Sequence, residues 1–312
     1  MEKVSVLLSV YQPNLDYLKQ QLQSIDEQDY ENIELLVFDD CVHGRMDTSI
    51  LAEVMRHKPY RVIPYAEENL GYVKAFERLV QYADGEYCAF CDQDDVWLPE
   101  KISTCLERIK QDGLVLVSSD KQIIDGNGTV VEASFDATRE PPFQLPKTVE
   151  EIGRSNFFGT FADGMCLVAE TAFAKRCVPF SEDTGHDKWL IACACAEHAF
   201  CNIDVPLVRY RRHGDNVSGF MKGIQTKQDY RAERVLPNQR VIAQFAKKYP
   251  QCSYLPEVMA FSEARVRHRF WSLWKYRRIS PKIAAFEMML CIAPGWMFSL
   301  AMKVLRKRYG RY

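Results

Sequence analysis

The sequence predicts an α/β fold, a mostly parallel sheet flanked by helices, with a basic, amphipathic helical appendage at the C-terminus. Three observations carry that expectation. Runs rich in Val, Ile and Leu alternate with stretches of helical period through the first half, the rhythm of strands joined by crossover helices. Polar clusters at Ser9–Gln12, Asp39-Asp40 and Asp92–Asp95 fall where three of those runs end, and such sheets bind ligands beyond the carboxyl ends of their strands. Residues 263–312 hold 12 basic and 2 acidic side chains, whereas residues 1–262 hold 28 and 40.

Val4–Val10 reads as the first strand, followed by helix-period Leu15, Leu18, Leu22 and Ile25. Ile33–Phe38 is a second strand and Arg61–Tyr65 a short third. A helix is expected from Gly71 to Ala83, then the strand Glu86–Cys91. Pro99 suits the first turn of a helix that Gly113 would close, and Leu114–Ser118 is one more strand. Glu132–Glu150, with three prolines, reads as a long loop, and Ile203–Val208 as a late strand. The phenylalanine- and glycine-rich segment Asn156–Gly164 is expected to line an acceptor.

Composition narrows the class. Of 312 residues, 47% are hydrophobic and 26% charged, with net charge −2. That excludes a disordered chain and argues against a nucleic-acid partner. The strand-like Val4–Val10 leaves no basic-then-apolar leader, so a cytoplasmic protein with reduced cysteines is expected. The eleven cysteines sit largely in apolar runs. Cys88 and Cys91 would point to opposite strand faces and make a poor zinc site. The +10 segment is aromatic and apolar as well as basic. It suits an in-plane helix on an anionic membrane surface, because Glu287 and Pro294-Gly295 interrupt any spanning stretch.

Asp92-Gln93-Asp94-Asp95 sets three carboxylates in four residues. Their repulsion would be relieved by a hard divalent cation, held by one or two carboxylates and a phosphate. Mg2+ or Mn2+ suits those oxygen ligands. An acidic turn capping the next helix is the plainer alternative.

The segment Cys91-Asp-Gln-Asp-Asp-Val-Trp-Leu-Pro-Glu-Lys101 resembles the DQDD-x-W stretch of glycosyltransferase family 2, and within it bacterial rhamnosyltransferases of cell-surface polysaccharide. The resemblance extends, in the family's order, to Ser9-Val-Tyr11, Asp39-Asp40, Glu68-Asn-Leu-Gly71 with Lys74, His186-Asp187, and Tyr210-Arg211-x-His213-x-x-Asn216. It implies a GT-A (Rossmann-like) fold, a nucleotide-diphospho-sugar donor and inverting transfer to a glycan, with dTDP-rhamnose ahead of a UDP-hexose. A lipid-linked acceptor at the inner face of the cell membrane would accompany it.

The resemblance implies roles. Ser9, Tyr11 and Asp39 would hold base and ribose, and Asn69 and Lys74 the phosphates. Asp94 would ligate metal, with Asp92 on ribose or metal and Asp95 in support. Asp187 would be the catalytic base, although an Asp at a helix start also serves as a cap. His186 would orient it or touch acceptor, and Trp189 would form a sugar platform or pack in the core. Arg211 would clamp the diphosphate and His213 approach metal. Cys41-Val42 departs from the family's usual Gly-Ser. Residues 1–220 would form the catalytic domain, with the donor half at 1–118 and the acceptor half at 119–220. Residues 221–312 would form a helical region, with membrane attachment from about 263. A sugar-phosphate nucleotidyltransferase is disfavoured because no Gly-rich loop follows the first strand. The full acidic set opposes a non-catalytic scaffold.

Overall fold

The computed structural model describes residues 1–138, 148–213 and 223–309. They form two compact units, Met1–Leu145 with Ala162–Arg211, and Pro146–Phe161 with Arg212–Tyr312.

The first unit opens with β1 (Val4–Val10), α1 (Leu15–Asp26), β2 (Ile33–Asp39), α2 (Ser49–Val54), β3 (Tyr60–Val62), α3 (Tyr72–Tyr82) and β4 (Tyr87–Cys91). It continues through β5 (Val96–Trp97), α4 (Lys101–Asp112), β6 (Leu116–Ile124), β7 (Val130–Glu132) and α5 (Phe135–Thr138). After α6 (Val149–Asn156), which belongs to the second unit, come β8 (Leu167–Glu170), α7 (Thr171–Arg176), α8 (His186–Ala196) and β9 (Phe200–Arg211). Asn14 starts α1 by accepting the Asp16 and Tyr17 amides, and Gly113 closes α4 at φ 62°. Of the expected loop over 132–150, residues 139–147 lie outside the described residues, while α5 and the start of α6 occupy its ends.

The strand order is β3-β2-β1-β4-β8-β6-β9-β5, with β7 on β6. β3, β2, β1 and β4 are parallel neighbours, in register from Val10 opposite Asp39 to Leu8 opposite Cys91. The three polar clusters therefore lie at one edge of the sheet. β8 runs antiparallel to both β4 and β6, and β5 antiparallel to β9. The sheet is thus mixed, whereas local alternation predicts mostly parallel strands. Alternation reports that a strand exists and not its direction, and β8 is entered from a short turn at Gly164–Cys166 without a crossover helix.

Leu18, Leu22 and Ile25 of α1 pack on Val4, Val6, Leu8, Leu35 and Val37 in one continuous core. Each such side chain contributes about 2 kcal/mol when fully buried. Cys91 belongs to this core and accepts a bond from Gln21 Nε2. Burial pushes the Cys88 thiol up to about 12, with Thr171 as its hydrogen-bond partner. The described cysteines are free thiols.

The second unit contains α6 and, after residue 223, α9 (Lys227–Tyr230), a π-turn at Arg231–Val235, α10 (Leu236–Lys248), α11 (Leu255–Val266), α12 (Phe270–Lys275), α13 (Pro281–Ile292) and α14 (Gly295–Tyr309). Phe157 and Phe158 are buried edge-on against Phe245 and Phe261. This corrects the expectation that they line an acceptor, because they are core. Tyr230, Val235, Leu290, Phe298 and Met302 form a further cluster. Inside it, Arg265 Nε and Tyr230 Oη both donate to Glu287 Oε1 at 2.8 Å, and Arg265 also donates to Asn238. Among the described residues no helix is long and apolar enough to cross a membrane.

Candidate active site

The site is built on the ends of β1, β2 and β4. The turn after β4 is fixed from two directions. Gln93 exchanges two hydrogen bonds with the backbone of Tyr11, accepting its amide at 2.8 Å and donating to its carbonyl at 3.0 Å. From the other side, Arg211 Nε donates to the Asp94 carbonyl and the Arg211 amide donates to Asp95 Oδ1, both at 2.9 Å.

That arrangement gives Arg211 a structural part that its residue type does not announce. Its guanidinium is fully buried, lies over the Tyr17 ring, and donates to Gln20 Oε1 at 2.8 Å and to the Asp125 and Gly126 carbonyls. These bonds make the buried guanidinium a strut for the acidic turn. Replacing Arg211 by Met should therefore cost about 3 kcal/mol or more of stability without any donor present, since several charged hydrogen bonds vanish together. Denaturant melting of the donor-free protein checks this. Unchanged stability with weakened donor binding would restore the clamp.

Asp92 and Asp94 are half-buried, and Asp95 is wholly buried with Oδ2 unpartnered. Burial, then the negative charges of Asp94 and Asp187, pushes the Asp92 carboxyl up to about 7, against the pull of Lys101 and Lys121. Burial, followed by Asp94 and Asp92, likewise holds Asp95 well above the usual carboxylate range. Asp187, in the first turn of α8, thus shares a field with Asp92. Gly185 leaves room for the Asp187 carboxylate, because a Cβ there would collide with Asp187 Oδ1. The half-exposed Tyr72 at the start of α3 feels the same two carboxylates, and its hydroxyl is raised by burial and then by Asp187 and Asp92.

His186 and Trp189 point elsewhere. His186 is buried, 4.1 Å between centroids from Phe76 and stacked on Phe90 at 5.1 Å, and burial lowers it to about 4. Among the described residues neither ring nitrogen has a hydrogen-bond partner. This corrects the expectation of acceptor contact, since the imidazole packs α8 against α3 and β4. Trp189 is buried with Nε1 on the Cys177 carbonyl at 2.9 Å, so it is core and no sugar platform.

On the nucleotide side, buried Asp39 accepts the Cys41 and Met46 amides, which shapes the loop after β2. Asp40 accepts Asn69 Nδ2 and the Leu70 and Gly71 amides, so Asn69 anchors the approach to α3. Lys74 bridges Glu77 and Glu182; burial pulls its ammonium down, and those carboxylates more than offset it. Ser9 is half-buried at the end of β1 and Tyr11 is exposed. His213 lies two residues past β9, in the second unit, and Asn216 lies outside the described residues.

Four residues at the site give no motif signal as isolated letters: Gln93, Tyr72, Lys101 and Lys121. Lys101 is wholly buried, donates to the Met165 carbonyl at 2.8 Å, lies over Trp97, and is lowered by burial to about 8. Lys121 pairs with Asp163 and lies near the Phe135 and Tyr210 rings.

The acidic turn fits a hard divalent cation. A carboxyl pushed to about 7 by burial and then by its acidic neighbours is a group whose charge a cation would restore. Among the described residues no three carboxylate, imidazole or thiol groups form a complete ligand set. One or two carboxylates with the remaining sites on a diphosphate is the usual pattern for Mg2+.

Residues 5–162, just over half of the chain, match the family described as Glycosyl transferase family 2. Over 219 residues the chain is 32% identical to an uncharacterised glycosyltransferase of Nostoc sp., covering 69% of this chain and 66% of that protein. Two further relatives are matched over 30% and 52% of their own length, so the chain aligns with only part of the curated relatives. The fold is similar to S. aureus TarS 1-349 in complex with UDP-GlcNAc, at TM-score 0.61 and 15% identity, covering 92% of this chain and 84% of that one. It is also similar to the mannosyltransferase PcManGT from Pyrobaculum calidifontis in complex with GDP-Man and Mn2+, at TM-score 0.53 and 17% identity, over 100% and 81%.

Proposed function

Because the chain belongs to glycosyltransferase family 2 and has the GT-A fold, we propose that it moves a sugar from a nucleotide-diphospho-sugar to a hydroxyl of a glycan acceptor, with inversion. The observation that carries this reading is the shared field of Asp92, Asp94 and Asp187 beyond the carboxyl ends of the parallel strands. Inverting transfer needs a carboxylate to take the acceptor hydroxyl's proton as its oxygen attacks the anomeric carbon from the side opposite the leaving group. Asp187 fills that role. Asp94, with Asp92, would hold Mg2+ or Mn2+, which when bound neutralises the departing diphosphate. Asp39 and Tyr11 flank the nucleoside and Lys74 the phosphates, while Asp95 and Arg211 hold the turn in place.

L-Rhamnose from dTDP-rhamnose is the donor proposed, on the DQDD-x-W resemblance. A UDP-hexose is the second reading, supported by UDP-GlcNAc in the TarS neighbour. The acceptor is proposed to be lipid-linked and met at the inner membrane surface, with the chain attached peripherally. Nucleotide release from dTDP-rhamnose, UDP-sugars and GDP-mannose, with and without a lipid-linked acceptor, tests this. Release of pyrophosphate from a nucleoside triphosphate and a sugar phosphate would indicate a nucleotidyltransferase instead.

The raised Asp92 gives a signed pH dependence. Its native proton affinity exceeds that of an unfolded Asp, near 3.9. The stability this adds is present at low pH and lost as pH rises through about 7. The cation-free protein should melt several degrees lower at about pH 8 than at about pH 5.5, and Mn2+ should restore the loss mainly at the higher pH. Differential scanning fluorimetry with Asp94→Ala as control checks it; an equal Mn2+ response at both pH values would contradict it.

A further inference from the structure

α12, α13 and α14 each bury one stripe and leave a second apolar stripe bare. α13 buries Ala284, Glu287 and Leu290, and turns Lys282, Met289 and Ile292 outward on the opposite side. α14 buries Phe298 and Met302 while Trp296, Leu300 and Lys303 share an exposed line at helical spacing. On α12, Leu273 is buried whereas Trp271 is 79% exposed. Ile292 is 76%, Trp296 68% and Leu300 57% exposed. Isolated exposed apolar residues are ordinary, but this concentration on three consecutive helices is not.

The charge beside these stripes identifies what covers them. Of the two acidic residues in 263–312, Glu287 is buried against Arg265, and Glu263 pairs with Arg267. The exposed surface is therefore positive beside its tryptophans, with Arg277 stacked 4.0 Å over the Trp274 ring. The same face of a second copy would set like charges together. Tryptophan with flanking Lys and Arg is the side-chain pattern of a membrane–water interface.

We propose that α12–α14 form a docking face for an anionic lipid surface, with Trp271, Ile292, Trp296 and Leu300 entering the headgroup boundary and Lys282 and Lys303 meeting lipid phosphates. This deepens the membrane placement above and rests on that reading. Docking needs neither donor nor acceptor, so it is scored separately from transfer.

The test is flotation of the full chain with vesicles of phosphatidylcholine, alone or with phosphatidylglycerol, at low and high salt. Binding should require phosphatidylglycerol and weaken at high salt. Trp296→Ser with Leu300→Ser, and separately Lys282→Gln with Lys303→Gln, should each lower binding about tenfold, with melting temperature and donor turnover unchanged. Trp271→Ser, on a different helix, gives an independent reading if the α14 pair lowers the melting temperature. Undiminished flotation in all three variants would overturn the proposal. So would a wild-type dimer in light scattering that the same substitutions dissociate, because a second copy would then cover the face. Flotation that behaves as expected while no donor is turned over would support docking and count against the transferase reading alone.

Discussion

Asp187→Asn should lower kcat about 10³-fold, within the range expected for loss of a general base. The amide keeps the carboxylate's shape and cannot take the acceptor proton. Donor affinity should change little, because the proposed base acts on the acceptor. Thermal stability should rise slightly without cation, since one of the charges that crowds Asp92 is removed. This pairing of lost turnover with retained or improved folding separates a base from a helix cap, whose loss destabilises. Single-turnover nucleotide release with saturating acceptor measures it. A variant that keeps more than about a tenth of the wild-type rate would move the base elsewhere, with Asp92, raised to about 7, the next group to test.

Glu287→Ala should destabilise the helical unit by about 3–5 kcal/mol, because it leaves the Arg265 guanidinium buried without its carboxylate. The charge is held where water does not reach, and the Tyr230 hydroxyl loses the same partner at 2.8 Å. A pair change, Glu287→Leu with Arg265→Met, should recover much of that loss, since neither side then keeps an unpaired charge. Urea unfolding followed by far-UV circular dichroism distinguishes the outcomes. Equal destabilisation by the single and paired changes would mean that packing, not charge pairing, holds the helices.

What the sequence makes legible here is local. β1, β2 and β4 are readable because buried parallel strands carry largely apolar runs, and the acidic turn because its letters are adjacent. Direction and burial are tertiary properties, and they account for the misreadings. β8 gives four apolar-to-acidic residues with no mark of its antiparallel sense. Arg211 and Trp189 look like ligand contacts by residue type, yet the packing of β9 and α8 hides both. Glu287 reads in sequence as a polar break in an apolar run, whereas it is a buried partner of Arg265. Gln93 and Lys101 had an available signal among the missed residues, since both sit inside the segment from Cys91 to Lys101. Lys101 bonds a carbonyl 64 positions away, and Gln93 reaches farther. Its bonds reach a strand 82 positions away, which no local pattern can show.

The double fastening of the acidic turn, by Gln93 on Tyr11 and by Arg211 on Asp94 and Asp95, bears on the protein's lifetime in the cell. The backbone of the turn cannot open to ease the repulsion between its carboxylates, so the folded state retains much of it without a cation. A ligand that neutralises them lowers the free energy of the folded chain and leaves the unfolded chain almost untouched. On the function proposed, the supply of donor and divalent cation would then set how long each molecule survives proteolysis as well as how fast it works.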